Sequence, residues 1–170
     1  MSNERTGVIT MKGNPMTLVG PALSEGDAAP DFSAIDSGLQ PVNLASSAGK
    51  VRIFSVVPSL DTPVCSIQTK RFNEELGNLG DVQVITVSAD LPFAQKRFCG
   101  AENIEIATIS DHRDLSFATN YGVLINELKI LTRALFVVDS NDKIVHAQIV
   151  PEVAEEPDYD AALEAARAAS

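Results

Sequence analysis

The chain is poor in several residue types, and each shortage excludes a class of protein. It has no tryptophan, two histidines and two cysteines in 170 residues, and aromatic residues make up 5%. Two cysteines in a chain of this length exclude a disulfide-stabilised scaffold. No apolar run approaches the roughly 20 residues that a membrane-spanning helix needs, so no membrane partner is expected.

Positive charge is also scarce. Lys and Arg total 13 against 23 Asp and Glu, which gives a formal net charge of −10. The cations form no cluster, so nucleic acid is not expected as a partner. Residues 1–10 lack the apolar core of a signal peptide, which predicts a cytoplasmic protein. In that reducing compartment a stable disulfide is rare, and a transient catalytic one is the usual exception.

The residues that are present have an ordinary globular composition and alternating strand and helix patterns. Hydrophobic residues make up 45% and charged residues 21%, which suits one domain spanning residues 1–170. Two short apolar stretches predict an N-terminal β-hairpin at about residues 8–19. The pattern as a whole predicts an α/β fold, with a mixed sheet flanked by helices. The further predicted elements are strands at 51–57, 82–87, 104–109, 134–138 and 144–149, and helices at 63–79, 92–99, 114–121 and 158–168.

Helix ends are predicted from residues with known end preferences. Thr62 is a good N-cap, and Pro63 is a good first helical residue because its missing N–H would have been unpaired there. Gly100 is predicted to cap the C-terminus of helix 92–99. Asp114 is predicted to be the N-cap of helix 114–121.

The stretch Pro58-Ser59-Leu60-Asp61-Thr62-Pro63-Val64-Cys65 joins a predicted buried strand to a predicted helix. Cys65 then falls at the third helical position. Unpaired backbone N–H groups and the positive end of the helix dipole act there, and both favour a thiolate over a thiol. We therefore interpret Cys65 as a nucleophile. The alternative is a structural protein whose two thiols are buried and inert.

The second cysteine, Cys99, is predicted at the C-terminal end of a helix, where the dipole disfavours a thiolate. This asymmetry suggests that Cys65 is the attacking thiol and that Cys99 is a second thiol that does not attack first. Cys99 lies 34 positions after Cys65, which excludes the Cys-x-x-Cys geometry of thioredoxin-type reductases. A disulfide between them is possible if the segments that carry them move into bonding range.

Rapid cleavage of a peroxide bond needs more than an ionised sulfur. Complete ionisation of an ordinary thiol raises its rate of reaction by at most about thirtyfold at neutral pH. A fixed donor aimed at the departing oxygen can contribute on the order of a hundredfold. Thr62, one turn before Cys65, and Arg133, at the start of a predicted strand, are candidate donors. A simple helix cap and a solvated strand-edge charge remain open as their alternative roles.

Pro58, Thr62 and Cys65 match Pro-x-x-x-Thr-x-x-Cys, the active-site pattern of the peroxiredoxins. The surrounding motif, including Arg71-Phe72-Asn73, resembles the thiol peroxidase branch of that family. So do Lys96-Arg97-Phe98-Cys99-Gly100 and the terminal Glu156-Pro157-Asp158-Tyr159. The resemblance covers nearly the whole chain.

The resemblance implies a thioredoxin-like fold, a homodimer, and reduction of hydroperoxides with thioredoxin as reductant. It implies that Cys65 is the peroxidatic residue, that Thr62 and Arg133 activate it, and that Pro58 shields the pocket. It also implies that Cys99 is the resolving residue in an intramolecular disulfide, and that no cofactor or metal is needed. The apolar residues Phe93 and Leu124, together with the family's habits, favour alkyl hydroperoxides over hydrogen peroxide.

Two other classes of function are compatible with some of these residues. A zinc-binding module could use Cys65, Cys99, His112 and His146, although no pair has the short spacing of a zinc knuckle. A peroxide-sensing redox switch without rapid turnover would need the same two thiols as an enzyme. Turnover with excess reductant distinguishes the switch from the enzyme.

Overall fold

The computed structural model describes residues 3–170, which form eleven strands, four α-helices and two 3-10 helices. The strands are β1 (Glu4–Met11), β2 (Asn14–Val19), β3 (Ala34–Asp36), β4 (Pro41–Val42), β5 (Arg52–Val56), β6 (Gln83–Ser88), β7 (Ala107–Ser110), β8 (Leu124–Ile125), β9 (Ile130–Leu131), β10 (Ala134–Val138) and β11 (Ile144–Ile149). The helices are α1 (Pro63–Glu75), α2 (Pro92–Glu102), α3 (Ser116–Asn120) and α4 (Tyr159–Ala169).

The main sheet has seven strands in the order β11-β10-β5-β6-β7-β3-β4. The central strands β5, β6 and β7 are parallel, and the remaining pairs are antiparallel. Helices α1 and α2 make the two crossovers between the parallel strands, as parallel pairing requires. This mixed sheet with helices confirms the predicted α/β fold.

Both faces of the central strands are buried. Along β5, Phe54 packs in a cluster with Phe117 of α3, whereas Ile53 packs in a second cluster with residues of α1 and α4. Successive strand side chains point to opposite faces, so a strand covered on both faces is mostly apolar. In β5 the apolar residues are Ile53, Phe54 and Val56, and its two polar residues, Arg52 and Ser55, are also buried and have hydrogen-bond partners.

The predicted N-terminal hairpin is confirmed as the antiparallel pair β1-β2, and it is extended by β8 and β9 into a four-stranded sheet. Its tip is held against the loop after β11. The Thr10 N–H donates to the Pro151 carbonyl at 2.7 Å, and the Val153 N–H donates to the Thr10 carbonyl at 2.9 Å. The hairpin therefore lies beside residues 151–153.

The structure corrects two predicted helix boundaries near the cysteines. Helix α2 continues through Gly100 to Glu102, and its C-cap is Asn103 in the left-handed conformation (φ 55°). Asparagine tolerates that conformation, and one glycine inside a helix costs only about 1 kcal/mol. Helix α1 ends earlier than predicted, at Glu75, and a 3-10 turn follows over Leu76–Asn78.

The third correction concerns α3, which spans Ser116–Asn120 and is not capped by Asp114. The carboxylate of Asp111 accepts hydrogen bonds from the Phe117 and Ala118 N–H groups instead, at 2.9 and 2.8 Å. Within residues 3–170, no helix has the length and apolar character needed to cross a membrane.

Candidate active site

The first turn of α1 carries Cys65. The helix begins at Pro63, and Thr62 is the N-cap with extended backbone angles (φ −103°, ψ 150°). The Cys65 side chain is fully buried against Val57 and Leu60. A charge on a buried atom is costly unless donors face it, so the groups around this sulfur decide its chemistry.

One buried cation faces the sulfur. Arg133 immediately precedes β10, whose Ala134 pairs with Val56 at the end of β5. The Arg133 side chain is 2% exposed, and its Nη2 donates a hydrogen bond to the Cys65 Sγ at 3.3 Å. Its Nε donates to the Val153 carbonyl at 2.8 Å. The guanidinium is therefore fixed where it stabilises negative charge on the sulfur.

Sequence reasoning missed the residue that holds the remaining side of this cation. Arg133 Nη1 donates to Gln68 Oε1 at 2.9 Å, and Gln68 Nε2 donates to Ser55 Oγ at 2.8 Å. Gln68 is fully buried. Its position three residues after Cys65 places it on the same helix face, so a polar residue on the buried stripe was the available signal.

Thr62 and Pro58 lie at a pocket beside Arg133. The pocket has a volume of about 450 Å³, and its walls include the apolar Met11, Val64 and Val153. Thr62 is exposed, and its hydroxyl donates to the Ser59 carbonyl at 2.9 Å in place of the expected side-chain cap. The Pro58 residue is buried. The structure thus brings Pro58, Thr62 and Arg133 to one cavity.

The apolar walls of this pocket are not the predicted ones. Phe93 is 68% exposed, and Leu124 is buried in the core beneath the other face of the sheet. Neither residue lines the pocket. The hairpin tip and the loop after β11 supply apolar surface in their place, because they pack together beside Arg133.

The second cysteine is in a different environment. Cys99 lies in the last turn of α2, is half-buried, and packs in the same cluster as Val84 and Ile106. Burial raises the pKa of the Cys99 thiol, and a hydrogen bond with the Thr108 side chain offsets part of that shift. Both cysteines are free thiols, so the structure does not join them.

The four residues of the zinc hypothesis do not form a centre. His146 lies within β11, and His112 follows the end of β7, on a different strand of the sheet. Within residues 3–170, no group of three or more His, Cys, Asp and Glu side chains is arranged to hold a metal ion. The hypothesis has no structural support in this part of the chain.

Known proteins are similar to this chain in fold and in sequence. Residues 24–163 match the redoxin family, to which the chain belongs. It is 56% identical over 162 residues to a thiol peroxidase of Halalkalibacterium halodurans, which covers 95% of this chain and 98% of the relative. It is 53% identical over 161 residues to a thiol peroxidase of Bacillus subtilis, covering 94% and 96%. Within the redoxin family, the chain is a member of the thiol peroxidase branch of the peroxiredoxins.

The solved structures agree with this placement. A peroxiredoxin-like protein from Aquifex aeolicus superimposes with a TM-score of 0.90 at 43% identity, with 98% of each chain covered. A thiol peroxidase from Chromobacterium violaceum has a TM-score of 0.80 at 20% identity, with 90% of this chain and 91% of that chain covered. The second likeness supports the thioredoxin-like fold alone.

Proposed function

We propose that the chain is a thiol-dependent peroxidase in which Cys65 attacks hydroperoxides. The observation that carries this proposal is the 3.3 Å hydrogen bond from buried Arg133 to the Cys65 sulfur, beside a pocket of about 450 Å³. A fixed cation beside a buried sulfur is costly to assemble for structural purposes alone. The relatives named thiol peroxidases support the same activity.

In the first step the Cys65 thiolate attacks the terminal oxygen of the peroxide. An S–O bond forms and the O–O bond breaks, and an alcohol or water leaves with a proton, so that the sulfur becomes a sulfenic acid. Arg133 stabilises the thiolate and the charge that develops on the departing oxygen. In this proposal Thr62, on the pocket wall, directs the peroxide through its hydroxyl oxygen, since the hydroxyl hydrogen is donated to the Ser59 carbonyl, and Pro58 shields the sulfur from water.

In the second step the Cys99 thiol condenses with the sulfenic acid. An S–S bond forms and water leaves. A thioredoxin-type dithiol then restores both thiols by exchange and becomes a disulfide itself. Closure of the loop between residues 65 and 99 stabilises the oxidised form by roughly 4 kcal/mol in a chain-entropy model. Partial unwinding around either cysteine would offset some of that gain and keep the disulfide reducible.

The size and apolar walls of the pocket favour alkyl hydroperoxides over hydrogen peroxide. A volume of about 450 Å³ lies in the range of sites for whole organic molecules. The apolar side chains of Met11 and Val64 offer contact to an alkyl group and none to hydrogen peroxide. We further propose a cytoplasmic homodimer, on the resemblance to the family.

A coupled assay with thioredoxin, thioredoxin reductase and NADPH tests this function. We expect NADPH to be consumed with cumene hydroperoxide and, less efficiently, with hydrogen peroxide. Cys65→Ser should abolish turnover. Cys99→Ser should consume one equivalent of peroxide and then stop with thioredoxin as reductant. Normal peroxide consumption by Cys65→Ser would refute the assignment, and a single turnover by the wild type with excess reductant would favour the redox switch.

A further inference from the structure

A single carboxylate holds the loop that leads to Cys65. Asp90 follows β6, and its Oδ1 accepts a hydrogen bond from Ser59 Oγ at 2.7 Å. Its Oδ2 accepts from the Leu60 N–H at 2.8 Å. Ser59 in turn accepts the Thr62 hydroxyl at its carbonyl oxygen. The position of Thr62 therefore depends on the hydrogen bonds of Asp90.

The same carboxylate is connected to the helix that carries Cys99. Ser88 Oγ donates to Asp90 Oδ2 at 2.8 Å and accepts from Gln95 Nε2 at 3.0 Å. Gln95 lies on α2 one turn before Cys99 and is fully buried. Its Nε2 also donates to the Ile109 carbonyl at 2.8 Å. A continuous chain of hydrogen bonds thus runs from the Cys65 loop to α2.

Disulfide formation requires these two segments to rearrange. Phe98 packs against the apolar cluster that contains Cys65 and also against the cluster that contains Val84 and Ile106, whereas the adjacent Cys99 packs only against the second. A bond between the two sulfurs therefore needs Phe98 to leave its place and the loop or the helix to open. The hydrogen bonds of Asp90 oppose that opening.

We propose that Asp90 is a positioning residue whose carboxylate, through Ser88 and Gln95, connects the Cys65 loop to α2. These hydrogen bonds, called the latch below, set how fast Cys99 resolves the sulfenic acid relative to its over-oxidation by peroxide. This inference rests on the proposed function. The sulfenic acid has two fates. Condensation with Cys99 releases water and forms the disulfide, whereas attack on a second peroxide releases an alcohol and leaves a sulfinic acid.

The expected effect of weakening the latch follows from populations. A hydrogen bond to a charged group stabilises the closed state enough that its loss increases the open population by about tenfold or more. When the open state is a minor one, this change hardly lowers the closed population. Disulfide formation, which needs the open state, should therefore accelerate about tenfold, while the peroxide step slows by no more than about twofold.

The experiment compares Asp90→Asn and Ser59→Ala with the wild type. The reduced proteins are mixed with cumene hydroperoxide, quenched with iodoacetamide at intervals, and measured by mass spectrometry for thiol, disulfide and sulfinic acid. We expect Asp90→Asn to form the disulfide about tenfold faster and to need about tenfold more peroxide for half-inactivation by sulfinic acid. Ser59→Ala, which removes one of the donors, should shift both values about threefold in the same directions.

Asp31→Asn is the matched control. Like Asp90, Asp31 is a carboxylate that ties separate segments together: one of its oxygens accepts backbone N–H groups from Phe32 and Leu44, and these segments lie away from both cysteines. The control should leave the partition unchanged. Equal shifts in Asp31→Asn, or wild-type partition in both Asp90→Asn and Ser59→Ala, would overturn the latch while the proposed peroxidase activity stood. Absence of peroxide consumption in the wild type would refute the peroxidase and the latch that depends on it.

Discussion

The two cysteines occupy opposite environments within one fold. Cys65 is fully buried at the start of α1 and receives a hydrogen bond from a guanidinium at 3.3 Å. Cys99 is half-buried at the end of α2 and is paired with the hydroxyl of Thr108. The more deeply buried sulfur is therefore the one with a cation beside it. This difference supports the proposal that Cys65 is the thiol that reacts with peroxide, because a neighbouring cation favours the thiolate whereas burial alone disfavours it.

The comparison extends to a buried amide near each sulfur. Gln68, one turn after Cys65, accepts a hydrogen bond from the Arg133 guanidinium. Gln95, one turn before Cys99, donates to Ser88 Oγ and to the Ile109 carbonyl. The first amide holds a charge in place without neutralising it, and the second anchors a helix to its sheet. Similar residues at similar spacing therefore serve the two sulfurs differently.

Arg133→Lys should have the largest effect on the difference in reactivity between Cys65 and Cys99. A lysine cannot bond simultaneously to the Cys65 sulfur, the Gln68 amide and the Val153 carbonyl in the planar geometry of a guanidinium. We expect the rate constant for reaction with peroxide, measured by rapid mixing, to fall on the order of a hundredfold. Alkylation of Cys99 in the same variant should stay at the wild-type rate. A peroxide rate within about twofold of the wild type would contradict the role of the cation.

Gln68→Met should have a smaller effect on the same step. It removes the acceptor of Arg133 Nη1 in a fully buried position, which costs about 1–3 kcal/mol of stability. The guanidinium then loses one of its fixed contacts, so we expect the peroxide rate constant to fall about tenfold. Gln95→Met is the matched control, with a similar loss in urea unfolding and a peroxide rate near that of the wild type. Equal peroxide rates in the two variants would mean that Gln68 has no special role.

The smallest effect concerns the acidity of Cys99. Burial raises the pKa of this thiol, so at a given pH a smaller fraction is thiolate than in an exposed cysteine. In Cys65→Ser, iodoacetamide alkylation of Cys99 should rise about tenfold per pH unit and still be rising at about pH 9. Thr108→Val removes the hydrogen bond that lowers the pKa, so alkylation should slow at every pH below that range. A plateau near neutral pH would contradict this description of Cys99.

Much of the site could be predicted because its signals are local. Proline and threonine before a helical stripe fix where α1 begins, and that position alone places Cys65 in the first turn. The mixed sheet follows from alternating strand and helix patterns that end in a tight hairpin. Arg133 is placed beside Cys65 by the antiparallel pairing of β10 with β5, which the sequence pattern alone does not specify. The catalytic roles of these residues remain predictions.

The remaining features depend on contacts between distant segments. Gln68 stands on the buried stripe of α1, but its partner Arg133 is distant in sequence, and nothing in the sequence links half-buried Asp90 to Ser59 and Leu60. The end of α2 was predicted wrongly at Gly100 because glycine is the usual C-cap, but Asn103 takes the left-handed position three residues later. The pocket walls were also missed, since Met11 and Val153 meet only when the hairpin tip packs on the loop after β11.

Glu152 ties the tip of the N-terminal hairpin to the loop that carries Val153, whose carbonyl accepts the Arg133 Nε hydrogen bond. Its carboxylate accepts the N–H groups of Ala154 and Gly13 at 2.7 and 2.8 Å, and these bonds lower its pKa to about 2. The tie contributes its full stability above the ordinary glutamate range, and this contribution declines progressively as the pH falls from that range through about 2. The Glu152 carboxylate itself stays ionised in acid that protonates most carboxylates, so its hydrogen bonds persist while the stability they contribute decreases. Affinity tags and fusions are better attached after α4. Trimming or crowding β1 would weaken its hydrogen bonds to the loop at Val153, and the Val153 carbonyl is a hydrogen-bond partner of Arg133.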